Sequence, residues 1–432
     1  MSRGERFKWE CKAIGALNHP NSCTMPAGPR PSGRRTAPFF IGAWSILLEA
    51  SRTETEIAIE NAKYRVKIPA RSVSTTRYRS LRRRQALLVL ALLVLAVGVC
   101  LFLSVGPPPK LGGPVGVQGD VALYTAVVER LHAGEDYYDV MGVELQSRGF
   151  PVSSVFNWRT PLHLELIAHL PALDGARALL LAVAICAIGL SAASACRDGL
   201  YALAYLQSVL LGCSFVTVYP FVLFGEVWAG VCITLSVASY AFGWRYAGVS
   251  AGVAALFFRE LALPYAFIAA FLAYREHRRS ELLIWLAGIG GWAIYLGLHA
   301  SAVLSRVPPS VAALGVDRWI QFGGMRFILS TSRMGLLLGL PFWLAALYLP
   351  LAVLGLAGWK NPVAPSVGAT VVAYLLAFGV VGAPSMNYYW GGIYSPLLAF
   401  GAAWAMPACR DLARAAGLLG WIRLKWARLR AA

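Results

Sequence analysis

Residues 119 to 161 combine acids, aromatics and a lone arginine in three clusters: Gly119-Asp-Val-Ala-Leu-Tyr124, Gly134-Glu-Asp-Tyr-Tyr138 and Trp158-Arg-Thr-Pro161. A carboxylate can take the proton from an attacking hydroxyl, and a guanidinium can hold a leaving phosphate by two parallel hydrogen bonds. Asp120 is therefore a candidate general base and Arg159 a candidate phosphate clamp. A plainer role fits each: helix N-cap for Asp120, interfacial snorkelling for Arg159. Glu226, Arg259 and Glu260 are ionisable residues inside oily sequence, where such groups either act on a substrate or pair with one another. Arg259 is a second candidate for phosphate, and Arg259 with Glu260 would equally serve as an ion pair at a helix break. Glu226 also suits the positive end of a helix dipole. Tyr137, Tyr138, Tyr388, Tyr389 and Trp390 are placed to stack on a substrate or to form an interfacial belt. The histidines His132, His163 and His169 have no HExxH-like spacing, and no DxD pair occurs in residues 107–172, so neither a metal nor another cofactor is expected.

The elements that must position these residues are apolar. The chain is 58% hydrophobic and 14% charged, outside the balance of a soluble domain. Runs of about 20 apolar residues, the length that crosses a bilayer, recur at 86–105, 178–195, 201–222, 227–243, 282–304, 334–358, 367–381 and 391–405. Backbone polar groups in lipid must be satisfied within the segment, so these runs are helices. The net charge of +18 gathers at the ends: residues 1–85 hold 17 Lys+Arg against 6 acids, and the last 24 residues hold 6 against 1. Both termini are expected in the cytoplasm, where basic flanks suit anionic lipid headgroups, and no nucleic acid is implied. The eight cysteines show no CxxC pair and no zinc-like spacing.

Three regions follow. Residues 1–84 form a basic, weakly ordered cytoplasmic extension, 85–408 the transmembrane domain, and 409–432 a basic cytoplasmic tail. Pro107-Pro-Pro109 ends the first span, and residues 107–172, with seven acids against four Lys+Arg, make a long extracytoplasmic loop. The stretch Ala247 to Tyr274 begins and ends beside cytoplasmic charge, so it should break near Arg259-Glu260 and Pro264 into two short arms. An outer segment follows residue 304, with Trp319, Phe322 and Phe327 as expected membrane anchors. The expected fold is an all-α polytopic membrane protein of about ten membrane segments, including that broken, re-entrant pair.

This arrangement resembles the GT-C superfamily of polytopic glycosyltransferases over roughly residues 85 to 408. The resemblance rests on an Arg-rich entry to the first helix and a long first outer loop carrying Asp120 and Tyr124 soon after that helix. It also rests on Gly134-Glu-Asp-Tyr-Tyr138 before Arg159-Thr-Pro161, the paired short segments around Arg259, and Tyr388-Tyr-Trp-Gly-Gly-Ile-Tyr394-Ser-Pro396. Gly119 precedes Asp120 where many members carry two acids, and Gly225-Glu226 stands where some show Gly-Gln. The resemblance implies a cell-membrane enzyme moving a sugar from a polyprenyl-phosphate donor to a glycan or lipid acceptor at the extracytoplasmic face. It implies Asp120 as the base; residue chemistry makes Arg159 and Arg259 the candidates for the donor phosphate, and Tyr124, Tyr137, Tyr138, Glu226, Glu260, Tyr388 and Tyr389 the candidates around the substrate. The alternatives are a transporter or flippase working at the Arg259-Glu260 break, and a surface-polysaccharide polymerase or ligase using Arg318, Arg326 and Arg333.

Overall fold

A computed structural model describes residues 75–105, 119–197, 199–215, 221–307, 322–382 and 387–418. These belong to one compact unit and contain fifteen α-helices and no strand. In chain order the helices are α1 (Arg83–Ser104), α2 (Asp120–His132), α3 (Tyr137–Ser147), α4 (Val155–Trp158), α5 (Leu162–Ala168), α6 (Ala172–Arg197), α7 (Tyr201–Phe215), α8 (Gly225–Ala241), α9 (Arg245–Phe258), α10 (Leu263–Arg275), α11 (Arg279–Leu304), α12 (Gly324–Ser332), α13 (Trp343–Gly358), α14 (Ala364–Val380) and α15 (Ser395–Ala415).

Three helices, Arg83–Ser104, Leu173–Arg197 and Arg279–Leu304, are long and apolar enough to cross a membrane. Their outer surfaces stay apolar, with Leu88, Leu92, Phe102, Leu181, Ile185, Ile294 and Leu298 exposed. A helix that is oily on its uncovered side needs lipid or protein there. Shorter apolar helices pack alongside, α7 on α6, α9 on α11 and α13 on α1. α13 and α15 approach most closely, because a Cβ on Gly355 would lie 1.9 Å from the Gly401 carbonyl oxygen; only glycine lets the two backbones meet.

The stretch from Ala247 to Tyr274 is broken. α9 ends at Phe258, Arg259 is extended (φ −155°, ψ 123°), and a 3-10 turn over Glu260–Ala262 leads into α10. Pro264 sits in the first turn of α10, where its missing N–H leaves no bond unmade. At 14 residues, α9 is about 21 Å long, short of the hydrocarbon thickness of about 30 Å.

Several elements depart from the sequence reading. Within the expected outer loop, residues 119–172 carry the short helices α2 to α5. α2 is amphipathic, burying Leu123, Tyr124, Val127, Val128 and Leu131 on one stripe, and α3 starts on Asp136, whose carboxylate accepts from the Tyr138 and Asp139 amides. Residues 76–80, inside the expected basic extension, are ordered. Thr76 donates its amide and hydroxyl to Asp411 at 2.7 and 3.1 Å, and the Tyr78 hydroxyl donates to the Leu354 carbonyl at 3.0 Å. The tail likewise begins inside α15, which runs on to Ala415 because Leu412 and Ala416 pack under Tyr78. Phe327 is not a membrane anchor: it is fully buried against Phe378 and Trp390, since α12 turns its apolar face to α14. Phe322 is exposed, and Trp319 lies outside the described residues.

Candidate functional site

At one end of the bundle, four segments meet: the first turn of α2, the turn between α4 and α5, the first turn of α8, and the break between α9 and α10. Gly225 makes the last contact possible. A Cβ there would stand 2.8 Å from the Phe258 carbonyl oxygen and 3.6 Å from the His163 ring. With glycine, the start of α8 closes on the end of α9, and Glu226 reaches Arg259.

Arg259 is then fully engaged. Its Nε donates to Glu226 at 2.8 Å and its Nη1 to Glu260, with Arg259 and Glu226 both 3% exposed. Two carboxylates hold one guanidinium, so Arg259 fixes the break and brings no uncompensated charge. Tyr374 secures the same turn by donating to the Leu261 carbonyl at 2.6 Å.

Arg159 is placed differently. It follows α4 with φ 59° and ψ 163°, a region that side chains with a Cβ rarely occupy. The Tyr137 hydroxyl holds this turn by donating to the Trp158 carbonyl at 2.5 Å, with the Arg159 carbonyl 3.3 Å away. The guanidinium meets neutral oxygens only: Nε donates to the Tyr124 hydroxyl at 2.9 Å, Nη2 to the Tyr389 hydroxyl at 3.3 Å and Nη1 to the Phe156 carbonyl at 3.4 Å. Three of its five N–H groups are thus used, and no carboxylate among the described residues pairs with it.

Asp120 is the first residue of α2, with Gly119 at the N-cap and no side-chain capping bond. The capping role open to it in the sequence is therefore not taken, because the chain enters the helix one residue earlier. Burial lifts its carboxyl above the ordinary range; the Arg159 charge and the Tyr389 hydroxyl oppose that rise, and Glu226 adds to it. Tyr124, one turn further along α2, shares its face. Burial pushes the Tyr124 hydroxyl up to about 12, so it remains protonated. Tyr124, Phe224 and Tyr389 pack in a row, with ring centroids 5.7 and 4.6 Å apart. Tyr124, Arg159, Thr160, His163, Glu226 and Arg259 meet around a narrow cleft packed too closely to admit a water molecule, with Asp120 beside it across Arg159 and Tyr389.

The fold thus brings together Asp120, Tyr124, Arg159, Glu226, Arg259, Glu260 and Tyr389, and Tyr388 lies close enough to feel the Asp120 charge. Tyr137 and Tyr138 are placed elsewhere. Tyr137 is buried under the Arg159 turn, and Tyr138 contacts His299 at 3.2 Å and lies beneath Arg306. Their rings pack edge to face, 5.2 Å between centroids, while their hydroxyls go to different partners, the Trp158 carbonyl and His299. Arg333 is spent on the Leu338 and Leu340 carbonyls, and Arg326 on the Val105 carbonyl. Arg318 lies outside the described residues.

His163 was missed by spacing. It is buried in the first turn of α5, edge-on to Tyr124, and its Nδ1 has no hydrogen-bond partner among the described residues. Burial, then the Arg259 and Arg159 charges, push its pKa down to about 3, so the ring is a neutral wall of the cleft. No signal in the sequence separates it from His132 or His169, which instead meet backbone carbonyls. No group of three His, Cys, Asp or Glu side chains among the described residues converges as a metal would require.

Against protein-family models, curated proteins and solved structures, the chain finds no match.

Proposed function

We propose that the protein is an integral membrane glycosyltransferase of the GT-C type, moving a sugar from a polyprenyl-phosphate donor to a glycan or lipid acceptor at the extracytoplasmic face of the cell membrane. In this reading both termini are cytoplasmic, and about ten membrane segments, including the α9–α10 pair, carry the site at their outer end. One observation supports it above the others. Asp120, a recessed carboxyl, lies close enough to Arg159 to feel its charge, and among the described residues neither is in a direct salt bridge.

Asp120 takes the proton from the acceptor hydroxyl as that oxygen attacks the anomeric carbon. The bond from that carbon to the phosphate oxygen breaks, its electron pair leaves with the lipid phosphate, and configuration inverts. The phosphate passes from a diester with one negative charge to a monoester with two. Arg159 meets this developing charge with a positive charge already in place. The cleft is packed shut in this structure, so in this reading its side chains part to admit the reacting phosphate and hydroxyl, with the sugar resting toward Tyr388 and Tyr389. Arg259 supports the phosphate site from behind by fixing the α9–α10 break. Transport at that break is the less favoured reading, because Arg259 has both partners it needs.

The test is transfer by the purified full chain, read as polyprenyl phosphate released from a polyprenyl-phosphate sugar. Asp120→Asn should lower turnover by about two to four orders of magnitude while alkyl phosphate still binds. Normal turnover in that variant would remove Asp120 as the base and with it this function.

A further inference from the structure

A second cavity, of about 260 Å³, lies at the other end of the bundle among the last turns of α6 and α8, the first turns of α7, the α13–α14 connection and α15. α8 links the two places. Glu226 in its first turn belongs to the cleft and Ala241 at its end lines this cavity, about 22 Å further along the helix.

The cavity contains polar groups that the protein leaves unused. Gln207 is 4% exposed and Ser194 is 7% exposed, and neither side chain has a hydrogen-bond partner among the described residues. Serines in apolar helices ordinarily bond the carbonyl one turn back, as Ser191, Ser208 and Ser214 do here at 2.7–2.9 Å. Ser194, on the same helix as Ser191, does not. The walls are aromatic: Trp359 stacks on Phe400 (5.6 Å, 25°), with Trp404 beside them. At the rim stands the exposed Lys360, donating to Thr75 at 3.1 Å, and no acid lines the cavity.

Buried neutral donors and acceptors, flat aromatic faces and one cation at the mouth suit a small ligand with hydroxyl groups and a single anionic group. The absence of a lining carboxylate disfavours a cationic headgroup beside Lys360. The outer surfaces of α6 and α7 are apolar, with Ile185, Leu181, Tyr201, Tyr205 and Val209 exposed, so a ligand held here can continue into acyl chains along them. We infer that this cavity seats the phosphoglycerol headgroup of an anionic membrane lipid, its phosphate on Lys360 and its hydroxyls on Ser194 and Gln207.

The test uses the full chain in neutral detergent, with binding of phosphatidylglycerol, phosphatidylcholine and sn-glycerol 3-phosphate each followed by native mass spectrometry. Phosphatidylglycerol should bind about tenfold or more tighter than phosphatidylcholine. Ser194→Ala and Gln207→Leu should each weaken it about tenfold, the value of one hydrogen bond to a charged or desolvated group. Neither substitution should lower the apparent melting temperature without lipid, because no protein hydrogen bond is lost. Lys360→Gln should abolish the preference for the anionic lipid. Equal binding of the two lipids overturns the inference, as does phosphatidylglycerol affinity unchanged in Ser194→Ala, which decides the matter alone if Gln207→Leu does not fold. Free glycerol phosphate binding as tightly as the lipid overturns the lipid assignment.

Discussion

Replacing Arg159 by glycine and by alanine separates its two features, an unusual backbone and a charge outside any direct salt bridge among the described residues. At φ 59° and ψ 163°, a residue with a Cβ carries about 1–3 kcal/mol of strain. Glycine carries none there, though its freer unfolded chain costs about 0.5–1 kcal/mol relative to alanine. Arg159→Gly should therefore be more stable than Arg159→Ala by about 0.5–2 kcal/mol, the reverse of their order at ordinary positions. Both variants lose the guanidinium equally. If it makes two charge-assisted hydrogen bonds to phosphate, each worth about 1.5–3 kcal/mol, affinity for an alkyl phosphate should fall by about two to four orders of magnitude in both. Apparent melting temperature from tryptophan fluorescence, at fixed detergent and scan rate, reads the first effect; titration with decyl phosphate reads the second. An alanine variant as stable as the glycine variant would show that the turn is unstrained. Wild-type phosphate affinity in either variant would show that Arg159 is no clamp.

Asp120→Asn should melt higher than wild type at neutral pH. A carboxyl whose folded pKa is raised above 3.8 costs stability once pH exceeds its unfolded value, and the difference should vanish in acid, where wild type is protonated; a lower melting temperature at neutral pH would refute this. Arg259→Ala leaves Glu226 and Glu260 buried without a cation and should cost about 3–5 kcal/mol, whereas a triple variant that also carries Glu226→Gln and Glu260→Gln should recover much of it; a triple variant no more stable than Arg259→Ala would deny the pairing. For His163, the folded pKa of about 3 against 6.5 means that the folded state resists protonation, so stability should decline as pH falls below 6.5 toward 3. His163→Gln should flatten that acid limb, and an unchanged limb assigns it to other groups. Gly230→Ala places a Cβ 2.0 Å from the Gly392 carbonyl oxygen; it should displace the Tyr388–Ile393 turn and lower both stability and alkyl phosphate binding, and a variant of wild-type stability and affinity would refute that packing.

Composition and periodicity determined that the described chain is helical, because long oily runs without water can satisfy their backbone only within themselves. They also located the break near Arg259 and Glu260, since charge on both flanks and Pro264 within do not permit one straight span. Asp120 and Arg159 stood out for the same reason, as charged residues among aromatics at the edge of apolar sequence. Tertiary structure decided their different roles. Arg259 and Arg159 are alike as residues, but a close approach at Gly225 added Glu226 to the neighbouring Glu260 around the first, while the turn after α4 set the second among tyrosine hydroxyls. Tyr137, apparently suited to touch substrate, instead holds that turn, and His163 entered the cleft without any local signature. These outcomes depend on contacts between segments tens to hundreds of residues apart, such as Arg159 with Tyr389 or Thr76 with Asp411, and side-chain type alone carries no information about which distant partner arrives.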